Sequence, residues 1–131
     1  MTLFRAMTLA LSALLPLRAG AAELSPHAWT IVTVSGTEAR NDARIAFAAD
    51  GGVSGSTGCN RFHGRSSLHD GVLTVGPLAS TRMGCAGPLA AQEAAIFSML
   101  AAPLSVAVDL EARRATLRAG DGRSLVLSRR P

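Results

Sequence analysis

Leu104-Ser105-Val106-Ala107-Val108-Asp109-Leu110 places Leu, Val, Val and Leu on one parity and Ser, Ala and Asp on the other. A period of two marks a strand with one face in a core and one in water. Ala115 to Ala119 and Ser124 to Ser128 follow it, joined by Gly120-Asp121-Gly122, so a hairpin is expected there. Just before it, Leu89 to Leu100 is the one persuasive helical pattern, with Pro88 suited to the first turn and Pro103 ending it.

Towards the N-terminus the strand signals recur. Trp29, Ile31 and Thr33 alternate with Thr30, Val32 and Val34, and Ile45-Ala46-Phe47 reads as a second strand. Asp50-Gly51-Gly52 signals a turn into a third strand. Val53 to Gly64 is dense in Gly, Ser, Thr and Asn and reads as one strand with bulges or close backbone approaches. Leu68 leads to a turn at Asp70-Gly71, Val72 to Val75 makes another strand, and Pro77 and Pro88 bracket an irregular stretch. The expected fold is α+β: mostly antiparallel, roughly seven to eight short strands curled into an open-barrel-like sheet, with one helix at about 88–101. No repeat, linker or low-complexity segment interrupts it.

The first 21 residues stand apart. Arg5 precedes an apolar run from Met7 to Leu17, and Ala19-Gly20-Ala21 offers a small-residue cleavage pattern. The run is too short to span a bilayer. Residues 1–21 are therefore expected to be a removable signal peptide, and 22–131 a single soluble, periplasmic domain without a stable membrane anchor. No cysteine lies near the cleavage site, so a lipid attached there is excluded. All basic residues are arginines, and the formal charge of +4 falls by the two arginines of the leader. Without aromatic interleaving, Arg113-Arg114 and Arg129-Arg130 read as solvated turns and ends, and no nucleic-acid partner is expected.

Several chemistries can be weighed on residues alone. Gly51, Gly52, Gly55 and Gly58 do not make a phosphate loop, because no Gly-Lys-Ser/Thr ending follows. Cys59, His63, His69 and Asp70 cluster without a standard zinc spacing. Serines with His27, His63 or His69 could be assembled into a triad, but no nucleophile elbow is present. Cys59 and Cys85 form an even count in an exported chain and read first as a disulfide. Closing that loop would stabilise the domain by about 3.5 kcal/mol in chain-entropy terms. No catalytic residue, metal or cofactor is expected.

The helix carries one anomaly. Leu89, Ile96, Phe97 and Leu100 form an apolar stripe, and Glu93 falls inside it. A carboxylate facing a core needs a partner. Arg82, shortly before Cys85, is the expected one, because a guanidinium grips a carboxylate in two places.

These residues also carry a family resemblance. Gly55 to Gly64, with Gly58-Cys59-Asn60 at its centre, resembles the Gly-Cys-Asn signature of the META domain, the HslJ heat-shock family. Leu73 through Thr81-Arg82-Met83-Gly84-Cys85 is similar to its second block, Gln92-Glu93 to its helix motif, and Leu117 with Leu125 to Leu127 to its closing hairpin. Departures are Ser66, where the family often has an aromatic, and the hairpin Ser35 to Asn41, which lacks the usual Asn-Gly-x-Pro turn. The resemblance implies a compact β-rich domain of envelope proteins linked to stress, without an established catalytic activity or cofactor. It marks Gly58, Asn60, Thr81, Arg82, Met83, Gln92 and Glu93 as motif residues.

The expected function is non-enzymatic: a monomer binding a protein partner or an apolar ligand in envelope stress tolerance. A pilot-like module assisting an outer-membrane assembly is the second reading, and a small hydrolase the third. The mass of protein extracted from the envelope should correspond to a chain starting at Ala22 or Glu23. Recovery of the full-length chain embedded in membrane would refute the cleaved, soluble form.

Overall fold

The computed structural model describes residues 23–129, so the expected signal peptide lies outside the described residues. Ten strands and one helix follow in the order β1 (His27–Val34), β2 (Thr37–Glu38), β3 (Arg44–Phe47), β4 (Gly52–Ser56), β5 (Arg61–His69), β6 (Val72–Val75), β7 (Ala79–Ser80), α1 (Pro88–Leu100), β8 (Leu104–Asp109), β9 (Arg114–Ala119) and β10 (Ser124–Ser128). Every pairing among them is antiparallel. Eight strands run around in the order β1-β3-β4-β5-β6-β8-β9-β10, and β10 pairs back with β1. The α+β expectation with one helix holds, and the curled sheet closes into a barrel. Closure leaves only β2 and β7, two residues each, as short outer additions.

The alternation that defines the strands sets the core. Leu104 and Val108 on β8, Ala115, Leu117 and Ala119 on β9, and Leu125 and Leu127 on β10 point inward and are buried. Ser105, Ala107 and Asp109 face out. Leu110 does not continue the inward set: β8 ends at Asp109, and Leu110 is exposed in the turn to β9. On β1 the register with β10 shifts between Ile31 and Thr33. The shift moves the buried parity from Trp29 and Ile31 to Val34, the usual effect of one extra residue in a ladder.

The segment from Val53 to Gly64 is not one bulged strand. It is the end of β4, a turn over residues 57–60, and the start of β5, paired from Gly52↔Arg65 to Ser56↔Arg61. The close approach expected of its glycines is real at Gly55. A Cβ there would collide with the Arg44 carbonyl oxygen on β3 and stand 2.8 Å from the Phe62 ring on β5.

α1 begins at Pro88 as expected. Its buried side runs through Gln92, Ile96, Met99 and Leu100, rotated from the stripe read from the sequence, so that Leu89, Glu93 and Phe97 lie at its margin, half-buried. Its polar contacts reach Arg40, the 57–60 turn and Arg123. The helix therefore caps one end of the barrel.

Leu117 is fully buried at the centre of the closing hairpin. Leu117→Ala should lower unfolding stability by about 3 kcal/mol in urea melts, the middle of the range for leucine truncation in a core. A loss below about 1 kcal/mol would show that the β9–β10 face does not carry the core.

Candidate functional site

Thr57, Asn60 and Gln92 are the buried polar side chains among the described residues. All three belong to one hydrogen-bond network at the capped end of the barrel. Buried polar groups require partners, and here the partners come from three separate stretches of chain.

The 57–60 turn first organises itself. The Thr57 Oγ1 accepts the backbone N–H of Cys59 at 3.2 Å and of Asn60 at 3.0 Å, and the Thr57 N–H donates to the Asn60 carbonyl at 2.9 Å. Gly58 occupies the left-handed region at φ 94°. A side chain there would stand 2.8 Å from both the Arg40 carbonyl oxygen and Gln92 Nε2, so geometry and space both require glycine.

Asn60 then fastens the segment before the helix. Its Oδ1 accepts the Met83 N–H at 2.7 Å and the Thr81 hydroxyl at 3.0 Å, while its Nδ2 donates to the Met83 carbonyl at 3.2 Å. The Thr81 Oγ1 accepts the Arg61 N–H at 3.0 Å. The same amide Nδ2 donates to Glu93 Oε2 at 3.1 Å, and the Thr57 hydroxyl donates to Glu93 Oε1 at 2.9 Å. One side chain thus grips the strap at Met83 and the helix at Glu93.

Gln92 clamps the helix to the other side of the turn. Its Oε1 accepts the Arg40 N–H at 2.8 Å, and its Nε2 donates to the carbonyls of Arg40 at 3.0 Å and Thr57 at 2.6 Å. A disulfide joins Cys59 to Cys85, 26 positions apart in sequence, with Cα atoms 6.2 Å apart. The pairing expected from the cysteine count is the one present. It fastens the strap covalently beside the bonds that Asn60 makes.

The expected Glu93–Arg82 ion pair is not formed. Both Glu93 oxygens are taken by the neutral donors of Thr57 and Asn60, and Arg82 is exposed. The physical reason is the path of the strap. Thr81 and Met83, on either side of Arg82, turn their hydroxyl and peptide groups to Asn60, which leaves the Arg82 side chain in solvent. Met83, too, is pinned by its backbone while its side chain is 65 % exposed. Thr57 was missed in the sequence; a threonine two and three residues before N–H groups that it can cap was the available signal.

The other candidates disperse. His63 lies on the outer face of β5, and His69 meets Asp70 at 3.3 Å in an exposed pair. Cys59, paired in the disulfide, joins neither. No group of three or more possible metal ligands occurs among the described residues. In the β9–β10 turn, the Asp121 carboxyl sits below its usual range, chiefly because the Arg123 backbone N–H bonds the ionised form, with the guanidinium adding to it.

The network also shapes a surface. Between α1 and the chain linking β6 to β7 lies a groove of about 420 Å³ lined by Val75, Gly76, Pro77, Leu78, Ser80, Phe97, Leu100 and Ala101. Phe97 stands edge-on to Phe62 with ring centres 5.8 Å apart, which fixes one wall.

A β-barrel capped by a single helix, with a disulfide-fastened Gly-Cys-Asn turn at the junction, is the architecture in hand, and its sequence matches the META domain over residues 22–131. The chain belongs to the META domain family. It is 41 % identical over 69 residues to the heat shock protein HslJ of Escherichia coli (strain K12), and this match takes in 50 % of the chain and 49 % of that protein. An NMR structure of a protein from Burkholderia xenovorans superposes with a TM-score of 0.70 at 26 % identity, over 86 % of this chain and 88 % of that one. A second NMR structure superposes with a TM-score of 0.66 at 34 % identity, over 81 % and 91 % of the two chains.

Asn60→Ala removes the gripping amide and strands the Met83 peptide and the Glu93 carboxylate, and should cost about 2–4 kcal/mol. Arg82→Met, at an exposed side chain, should change stability by less than about 0.5 kcal/mol. Equal losses in urea unfolding of the oxidised proteins would overturn this assignment of partners to Glu93.

Proposed function

We propose that this protein is a non-catalytic, exported META-domain protein that supports envelope stress tolerance by holding an apolar ligand, or an apolar segment of a partner protein, in the groove beside α1. The observation that carries this reading is the groove itself. Val75, Leu78, Phe97 and Leu100 line it with large apolar side chains, and Ser80 adds a polar residue. Concave, mostly apolar sites with a few polar groups are the usual form of a small-ligand pocket. The larger hollow near His27 and Asp50 carries two histidines and a carboxylate on its lining, and its Phe47 and Val53 are buried in the core.

The groove's walls are held independently of any occupant. Phe97 is carried by a helix clamped at Gln92 and Glu93, and the chain beyond Leu78 continues through β7 into the strap held by Asn60 and the disulfide. A site whose walls are already ordered spends little of its binding energy on ordering them. The similarity to a heat shock protein supports the stress context, and the disulfide agrees with an oxidising compartment.

A fluorescent apolar probe should bind the oxidised protein saturably. Phe97→Ser should weaken that binding at least about tenfold, the scale of losing one large apolar wall, while Leu110→Ser, at an exposed turn outside the groove, should leave it unchanged. Native mass spectrometry of protein purified from its own envelope then identifies the occupant. Probe binding that is insensitive to Phe97→Ser would place the site elsewhere.

A further inference from the structure

A further concavity lies on the outside of the barrel, and two arginines contribute to its lining. It measures about 330 Å³, and Arg44, Arg61, Ser54, Ala28 and Ala46 contribute to its lining. The register explains its shape. Arg44 on β3, Ser56 on β4 and Arg61 on β5 stand in one row across the sheet, all with outward parity. Two strand spacings separate the arginine backbones, roughly 9.6 Å, a distance within the reach of two arginine side chains. In the adjoining row Ala28, Ala46 and Ser54 are in register. Their small side chains keep the floor beside the arginine row low.

The donors around this hollow have no protein acceptors among the described residues. Neither guanidinium takes part in an ion pair; the ion pairs formed are His69 with Asp70 and Arg123 with Asp121. Asp42, two residues before Arg44 in the chain, pairs with neither. The Ser54 hydroxyl makes no hydrogen bond among the described residues, while the Ser56 Oγ in the arginine row accepts the Gly58 N–H at 3.1 Å. Arg44, Arg61 and Ser54 therefore line one hollow to which no carboxylate contributes, and Ser56 stands between the two arginines in the row.

We propose that Arg44, Arg61 and Ser54 form a binding site for a phosphomonoester dianion. Two guanidiniums match two negative charges, and each presents the planar pair of N–H donors that fits phosphate oxygens. The Ser54 hydroxyl supplies a further donor from the β4 side, and the alanine floor lets the anion approach the sheet. The site lies on the outer wall and is separate from the groove beside α1, so it stands whether or not that groove binds apolar ligands.

The test is an NMR titration of the oxidised protein with inorganic phosphate, followed on the backbone amides of residues 54–61. Saturable shifts confined to that region are expected. Arg44→Ala and Arg61→Ala should each weaken binding about tenfold, the loss of one charged hydrogen-bonding partner. Arg118→Ala, an exposed arginine elsewhere on the barrel, should leave it within about twofold. The amide spectra of the variants report at the same time that the fold is kept. Sedimentation with phosphatidylcholine vesicles, with and without phosphatidic acid, distinguishes the source of the group. Binding to phosphatidic acid that is lost in Arg44→Ala assigns the site to a lipid headgroup. Phosphate binding without vesicle binding assigns it to a soluble phosphomonoester. Absence of saturable shifts, or an Arg118→Ala effect as large as that of Arg44→Ala, overturns the proposal.

Discussion

The amide of Asn60 is where three parts of the molecule are made to agree. Its oxygen holds the strap through Met83 and Thr81, and its nitrogen reaches both the strap and the helix carboxylate of Glu93. A carboxamide offers donors and acceptors in one plane, so a single residue can satisfy groups of opposite hydrogen-bonding character. An apolar residue would leave a peptide and a carboxylate without partners. An aspartate would place a second carboxylate against Glu93, and like charges at that distance cannot both stay ionised without cost.

The rest of the capped end follows from that constraint. The turn must bring Asn60 inward, which requires Gly58 in a left-handed conformation beside Arg40 and a Thr57 hydroxyl under the turn. The helix must present Glu93 to the turn, and Gln92 fixes its rotation by gripping backbone on both sides. That rotation buries Ile96, Met99 and Leu100 and leaves Phe97 at the margin, where it meets Phe62 and lines the apolar groove. The polar network and the apolar surface are thus two consequences of one helix orientation.

The turn also links the inside of the barrel to its outside. Ser56, the last residue of β4, accepts the Gly58 N–H from the same turn. Its register neighbours are Arg44 and Arg61. The geometry that aims Asn60 inward therefore also sets where the outer arginine row stands.

Much was legible because it rests on short-range pattern. The alternation from Leu104 to Asp109, the hairpin glycines, Pro88 opening the helix and the paired cysteines each report on neighbours a few residues away or on a simple count. The motif blocks around Asn60, Met83 and Glu93 singled out the residues that meet. Other features were decided only by tertiary structure. Arg82 was a reasonable partner for Glu93 on charge, yet the Thr81 hydroxyl and the Met83 peptide on either side of it are drawn to Asn60, and that direction depends on a turn about twenty residues earlier. The helix face slipped because the Gln92 clamp, with partners at Arg40 and Thr57, outweighs the apolar stripe that local spacing shows. Val53 to Gly64 reads as one strand because glycine and serine carry little periodicity, and only pairing partners reveal the turn. Closure between β1 and β10 and the arginine row arise from register between distant strands, and the groove beside α1 from how the helix docks. Periodicity within a segment determines which face of that segment is apolar; which segments those faces meet is set by long-range pairing, for which no local pattern carries the information.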